Sequence, residues 1–519
     1  MGRFWRALLI FEVIVLLFVA MLSYIAVEGQ AVTRFVYEFS DFRPLAVYAT
    51  DRYIVLAGSG GGPAVVVVNR TSGLIVSSWY ISGNDPNSCD IAFDGSYLYI
   101  GCVRYGDYIF LGKYSYPGLG VVYEKRLSGF AYSVIDVYAA SGNMYFVLNA
   151  VGGGASVLAG YISSDGATVM LREVAPSGVT DVVMLSGIVG YSDDLVGLCG
   201  FLRYTSGGTT YNNLFYLEIY IGSGTVTKNV VVSVPSVPGD GYSFVEAWLE
   251  PSTNKVIFSV GRYVVVFDTG TVRFERINYI GISGASYYYD SDIEIYGGYL
   301  YLFIRYYNTS LPGYMLGFAK LDVSGSIYAS YGYRGTYSFF NDFAVYGDNI
   351  AVAGSSYSPY FVFYAPIGVG IPGKVTASPI TVSFTSVSYS GASVSFALGQ
   401  PGATVASVTS ASRSYVATGY IFVDIVTTTT TTQTFVTTTT ETATSTVTTT
   451  ETVTTTETAT SIETVINTVT TTVVHAVPYP YTFTTTVTTT VYQAPSLDIY
   501  VVVFVVAALI AVAIVYRRK

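Results

Sequence analysis

The sequence predicts an all-β protein: a seven-bladed β-propeller closed by an N-terminal strand, then a small β-domain, an extended Thr-rich stalk and a C-terminal transmembrane helix. Three observations predict it. A short phrase, clearest at Asp90–Gly101 (Asp-Ile-Ala-Phe-Asp-Gly-Ser-Tyr-Leu-Tyr-Ile-Gly), returns at Asp136–Leu148, Asp292–Ile304 and Asp342–Gly354, with looser copies from Ala46, Asp181 and Glu246. The copies recur about every 45 residues, the length of a four-stranded blade. No stretch between residue 32 and the Thr-rich tract keeps a helical apolar period, so helices are not expected there.

The chain opens with Arg3 and Arg6, an apolar run from Ala7 to Ile25, and small residues at Gly29 and Ala31. Residues 1–31 therefore read as a signal peptide, or as a signal anchor given the length of the run and Glu12 within it. Residues 32–372 hold the blades. In each, strand a turns tightly into strand b, as at Phe93-Asp94-Gly95-Ser96-Tyr97 or Tyr296-Gly297-Gly298-Tyr299, where Gly and Asp supply the positive φ such hairpins need. Strands c (Val65–Val68) and d (Val121–Leu127) complete the unit. Blade four is long, Asp181–Tyr204 parses in two ways, and it carries a polar insert at Thr205–Asn213.

The seventh repeat stops after strand c at Tyr360–Pro366, while the strand Thr33–Ser40 stands alone before the first. Its Phe35-Val36-Tyr37-Glu38 matches Val121-Val122-Tyr123-Glu124 of a strand d, so it is expected to complete blade seven and remove the open edges of the ring. If strand d passes to the next strand a on the top face, the chain leaves blade seven on the bottom. The stalk and membrane then lie below, and the top faces away from the cell.

Residues 373–426, with alternating segments at Ile380–Val387, Ser393–Leu398 and Tyr420–Ile425, read as a small β-domain beneath the propeller. Residues 427–496 are dominated by Thr and Val and cannot bury a core. They read as an O-glycosylated stalk, with Thr/Val strands as the alternative. Residues 497–516 read as the transmembrane helix: Ile499–Tyr516 is uncharged and spans roughly 27 Å as a helix. Arg517-Arg518-Lys519 would be the cytoplasmic tail, which places a single-pass protein in the cell membrane with its ectodomain outside.

Composition narrows the function. Of 519 residues 51% are hydrophobic and only 11% charged, with 49 Tyr and a net charge of -9, so nucleic acid is not an expected partner. The one histidine, His475, lies in the Thr-rich tract, which leaves the blades without a Ser-His-Asp triad or a His-ligated zinc site. The Gly-rich stretches Gly58–Pro63 and Gly152–Gly154 are followed by strands, so they read as turns and not as phosphate cradles.

The layout of signal, β-rich ectodomain, Thr-rich tract and final helix ending Arg-Arg-Lys resembles archaeal cell-surface proteins anchored beside an S-layer. The repeats, as in Asp136-Val-Tyr-Ala-Ala-Ser-Gly-Asn-Met-Tyr, resemble extracellular propellers, including the LVIVD type. The resemblance implies ligand binding, scaffolding or adhesion as readily as catalysis, and it carries over no catalytic residue.

The repeated ionisable feature is the acid that opens strand a: Asp90, Asp136, Asp181, Glu246, Asp292 and Asp342, with Ala46 in blade one. These carboxylates should ring the top mouth of the central channel. Three readings stand: each accepts main-chain N–H groups and fixes a blade junction, the ring holds a cation such as Ca²⁺, or a pair serves glycoside hydrolysis. Tyr287, Tyr288 and Tyr289, with Tyr331, Tyr333 and Tyr337, are expected on neighbouring top loops, where Tyr suits sugar or protein contact. Cys89 and Cys102 flank the blade-two hairpin and are a disulfide candidate, while Asn69 and Asn308 open glycosylation sequons. The expected function is glycan or protein binding at the cell surface, including the S-layer. The alternatives are an extracellular polysaccharide hydrolase and a structural envelope component.

Overall fold

The computed structural model describes residues 31–469 apart from 151–153, 236–244, 251, 309–313, 323, 336–338, 356–359, 372, 416 and 441–445. The expected signal, the later part of the Thr-rich tract with His475, the C-terminal helix and the cytoplasmic tail lie outside the described residues. Among the described residues every regular element is a strand, and no helix is long and apolar enough to cross a membrane.

Seven antiparallel sheets, each with four blade strands, make a seven-bladed propeller within the compact unit Phe35–Gly419. The middle strands b and c are buried along nearly their whole length, as in Tyr53–Ser59 and Pro63–Asn69 of blade one. A neighbouring blade covers each face of these strands, so they read as continuous apolar runs such as Ala64–Val68, without polar alternation. This two-sided burial is why the described residues are so apolar without a helix.

The ring closes as expected. The first strand, Ala31–Phe39, pairs antiparallel with strand c of blade seven, Tyr360–Pro366, with Phe35 opposite Tyr364 and Phe39 opposite Tyr360. The polar insert of blade four is no separate loop. It continues one long hairpin, Leu195–Ser206 with Thr209–Tyr220.

The segment after blade seven corrects two expectations. It forms no small β-domain: its strands add one by one to the outer edges of the blades, as a belt. Val375–Pro379 pairs with strand d of blade six, Val382–Ser386 with blade five and Ser390–Ala392 with blade four. Phe396–Gly399 then reaches blade three, Thr404–Ser407 blade two and Ala411–Ser412 blade one. Gly419 finally lies against Tyr37 of blade seven, so the belt makes a full circuit against the order of the blades. Successive belt strands begin about seven residues apart, an extended reach of roughly 23 Å from one blade rim to the next. The belt pairs with d edges that would otherwise be open, which is the physical reason such short strands hold. It also removes the argument for which face points away from the cell, because strand c of blade seven does not lead directly into the Thr-rich tract. That tract carries two long strands, Ala417–Thr440 and Thr446–Val469.

Side chains anchor the belt. Glu124 of blade two, buried, accepts from Tyr114 Oη (2.8 Å) and from the belt amide of Ser410 (2.7 Å), and Trp79 Nε1 of blade one donates to the same Tyr114 oxygen. Glu124→Ala would leave both donors without an acceptor, at about 1–3 kcal/mol. The expected result is faster hydrogen exchange at belt amides 404–412 with the inner strands still protected, and Glu124→Gln should restore most of the protection.

Candidate functional site

The first strands of successive blades touch one another all the way round the axis, which brings their acids together. Asp90, Asp136, Glu246, Asp292 and Asp342 face the same register position on strand b, opposite Gly101, Val147, Ser259, Phe303 and Ala353. Asp181 does not join them. It is exposed, at φ 51°, near the start of its strand, and the blade-four residue in the ring position is Gly187, opposite Cys199. A Cβ on Gly187 would lie 2.9 Å from Ala247 Cβ and 3.1 Å from Asp136 Oδ2, so an acid has no room there.

The carboxylates hold the blade junctions through main-chain amides. Val137 N donates to Asp90 Oδ2 (2.5 Å), Ile188 N to Asp136 Oδ2 (2.8 Å) and Val47 N to Asp342 Oδ2 (2.7 Å), in each case from the next blade. Asp90 and Asp342 each also accept from the amide that follows them, at 2.7 Å. Glu294 does the same work for blades six and seven, accepting from Val345 N at 2.6 Å. Sequence reading passed over Glu294, although its i, i+2 spacing puts it on the same strand face as Asp292.

Adjacent acids also lie close together, Asp136 beside Asp90 and Asp292 beside Asp342. Burial, then the neighbouring carboxylate, holds Asp136, Asp292 and Glu246 well above the usual carboxyl range. Burial raises Asp90 to about 6 and Asp342 to about 7 against the pull of the amides that bind them. Among the described residues no group of three or more His, Cys, Asp or Glu is arranged to hold a metal ion, so the ring does not converge on a Ca²⁺ site.

A cavity of about 240 Å³ opens at the mouth where strands a begin, bordered by Asp90, Glu246, Asp292 and Asp342. Arg43, Asn87, Asn341 and Arg305 complete its polar wall. Arg305 Nη1 donates to Phe340 O (2.8 Å) and Asn341 Nδ2 to Pro44 O (2.8 Å), which sets both side chains from the blade edges. Phe303 gives one apolar wall and is stacked on Phe343 at 4.7 Å between ring centres. Ser291 Oγ, also at the cavity, is buried and has no hydrogen-bond partner.

No family model matches this chain, and no curated protein matches it. Solved structures do. The crystal structure of BamB from Moraxella catarrhalis aligns with 64% of this chain and 99% of its own, at 9% identity and a TM-score of 0.36. A likeness at that level identifies no function.

The other expected site residues divide. Cys89, on the cavity wall beside Asp90, is bonded to Cys102 directly opposite, at an S–S distance of 2.05 Å. Removing that cross-link in a Cys89→Ala/Cys102→Ala variant is expected to cost about 3 kcal/mol in thermal or urea unfolding. Cys199 is free and buried. Tyr287 and Tyr288 open strand a of blade six, Tyr287–Tyr296, and do not lie in a loop before it; Tyr287 is 61% exposed, while Tyr288 is 9% exposed, with Arg262 3.6 Å above its ring and its hydroxyl on the main chain of Ile282. Tyr333 is fully buried and accepts from Gly368 N, and the ring of Tyr331 packs under Gly368. Both belong to strand d of blade six, Ile327–Gly335, and not to a loop. Tyr337 and the side chain of Tyr289 lie outside the described residues.

Asn69 sits in its expected turn, but its Oδ1 accepts from the amides of Thr71 and Ser72. Asn308 follows strand Tyr299–Tyr307 and is half-buried. The Gly-rich turn of blade one is an anion cradle already filled from within the chain. Asp85 Oδ1 accepts from Gly61 N (2.9 Å) and Gly62 N (3.0 Å), and Gly61 and Gly62 both have positive φ. Burial pushes Asp85 up, but these donors outweigh it and hold the carboxyl below its ordinary range.

Proposed function

We propose that this protein is a membrane-anchored, extracellular propeller that binds a glycan or a protein bearing one, without catalysis, through the mouth of its channel. The observation that carries the reading is the open cavity with convergent polar groups and one apolar wall, in the arrangement that fixes a small polar ligand. Its volume lies below the roughly 300 Å³ of the smaller drug-sized pockets, which favours a single sugar ring or a chain end. Against catalysis stands the occupancy of the acids: both oxygens of Asp90 and of Asp342 already accept main-chain amides, which leaves them poor bases and poor nucleophiles. One observation favours a hydrolase as the second reading, the two neighbouring carboxyls of Asp292 and Asp342 at the cavity edge. A glycan array probed with the purified full chain tests the first reading, with Arg43→Ala as the site variant. Binding that weakens in the variant supports it; release of reducing ends from a bound polysaccharide would replace it with the second.

A further inference from the structure

We infer that the cavity takes an amine-bearing sugar, whose ammonium sits between Glu246 and Ser291. The inference rests on the glycan-binding reading above and names the ligand class. Two independent observations carry it. Among the ring acids, Glu246 is the one that no described residue reaches with a hydrogen bond, and it borders the cavity. Ser291 Oγ, 1% exposed as a residue and without a partner, borders the same cavity. A buried polar atom left unpaired in a native fold asks for a partner from outside.

The chemistry of that partner follows from the acceptors on offer. A carboxylate accepts only and a hydroxyl oxygen can accept, while an ammonium is a donor with three N–H groups and no acceptor. A bare metal ion is not suited, because the described acids do not converge into a coordination sphere. An organic ammonium needs no such sphere, since its N–H groups reach separate oxygens. The rest of the cavity suits the rest of a sugar: Phe303 offers an apolar face to ring C–H groups, and Asn87 and Arg43 lie where hydroxyls would be.

The charged groups around Glu246 set the direction of the proton. Asp90, Asp136, Asp292 and Asp342 face it from the other blades and disfavour a further negative charge, and burial acts the same way. Arg43 and Arg305 stand on the opposite side of the balance, on the cavity wall. An ammonium placed against Glu246 reverses the balance. The O–H bond of the carboxyl breaks, the proton passes to solvent, and the carboxylate pairs with the ammonium, so charge and atoms balance.

The test is titration calorimetry of the full chain with glucosamine and with glucose, in two buffers of different ionisation heat near neutral pH. Glucosamine should bind about tenfold or more tightly than glucose, as expected for a hydrogen bond to a charged group, and binding should be accompanied by net proton release. Glu246→Gln should abolish both the preference and the release. Ser291→Ala, a smaller change in a variant that keeps the ring intact, should weaken glucosamine several-fold. Equal binding of the two sugars, or binding without proton release, overturns the inference and leaves the glycan reading in place. If neither sugar nor any arrayed glycan binds, both fall.

Discussion

Tyr37→Ala is expected to lower the unfolding free energy by about 3–5 kcal/mol, the cost of emptying a large buried aromatic site. Tyr37 is 1% exposed, stacks on Phe39, meets Phe35 edge-on and donates its hydroxyl to the carbonyl of Gly73 in the c–d turn of blade one. It therefore joins the last blade to the first, beside the one break in chain order, which falls within blade seven between Tyr360–Pro366 and the closing strand. The packing, without the hydrogen bond, recurs at an interior junction, where Tyr123 of blade two lies against Gly166 in the c–d turn of blade three. Tyr37→Phe keeps the packing and should cost about 1 kcal/mol. Urea unfolding of the three proteins checks both values. A loss below about 1 kcal/mol for the alanine variant would mean that the closing strand contributes little to the ring.

The second large effect is on pH. The ring acids are raised in the folded protein, so between their unfolded and folded pKa values the folded state binds more protons than the unfolded chain. Stability is then fully present below about pH 4, the unfolded carboxyl range, and falls as pH rises toward the folded values. For Asp90 that window ends at about 6 and for Asp342 at about 7. Asp136, Asp292 and Glu246 extend the loss in the same direction. The expected result is a melting temperature that is higher near pH 5 than near pH 8. Asp292→Asn, which keeps a donor toward Asp342 but cannot ionise, should flatten the slope. A melting temperature that rises from pH 5 to pH 8 would show that the ring is ionised and solvated in the folded protein.

The blades were legible because each repeat carries its own local grammar. An apolar run, a Gly or Asp turn and a second apolar run specify a hairpin wherever they occur, and seven copies specify a ring. The closing strand was legible for the same reason, as a strand d without its a, b and c. The ring acids aligned from the sequence wherever the hairpin was regular. Alignment failed at blade four, where strand a is 13 residues long with irregular pairing at both ends, Thr180/Val183 and Gly190/Ser192, and where the ring position is a glycine, Gly187, while the acid Asp181 lies near the strand's start. Glu294 was hidden because its role appears only when Val345 of the next blade is beside it.

The belt shows the limit most clearly. Its strands are two to five residues long, too short to announce a sheet. Their partners are distant in sequence: Val375 pairs with Gly335 of blade six, and Ala411 with Tyr80 of blade one. Apolar periodicity cannot reveal such strands, because each is held by a d edge that exists only after its blade has folded. The blade, the number of blades and the closure were written in the chain itself, since they follow from local strand and turn propensities repeated along it. The belt, the bonds that ring acids accept from amides of the next blade and the cavity the acids border came only with folding, since they depend on groups that the closed ring alone brings within hydrogen-bond reach.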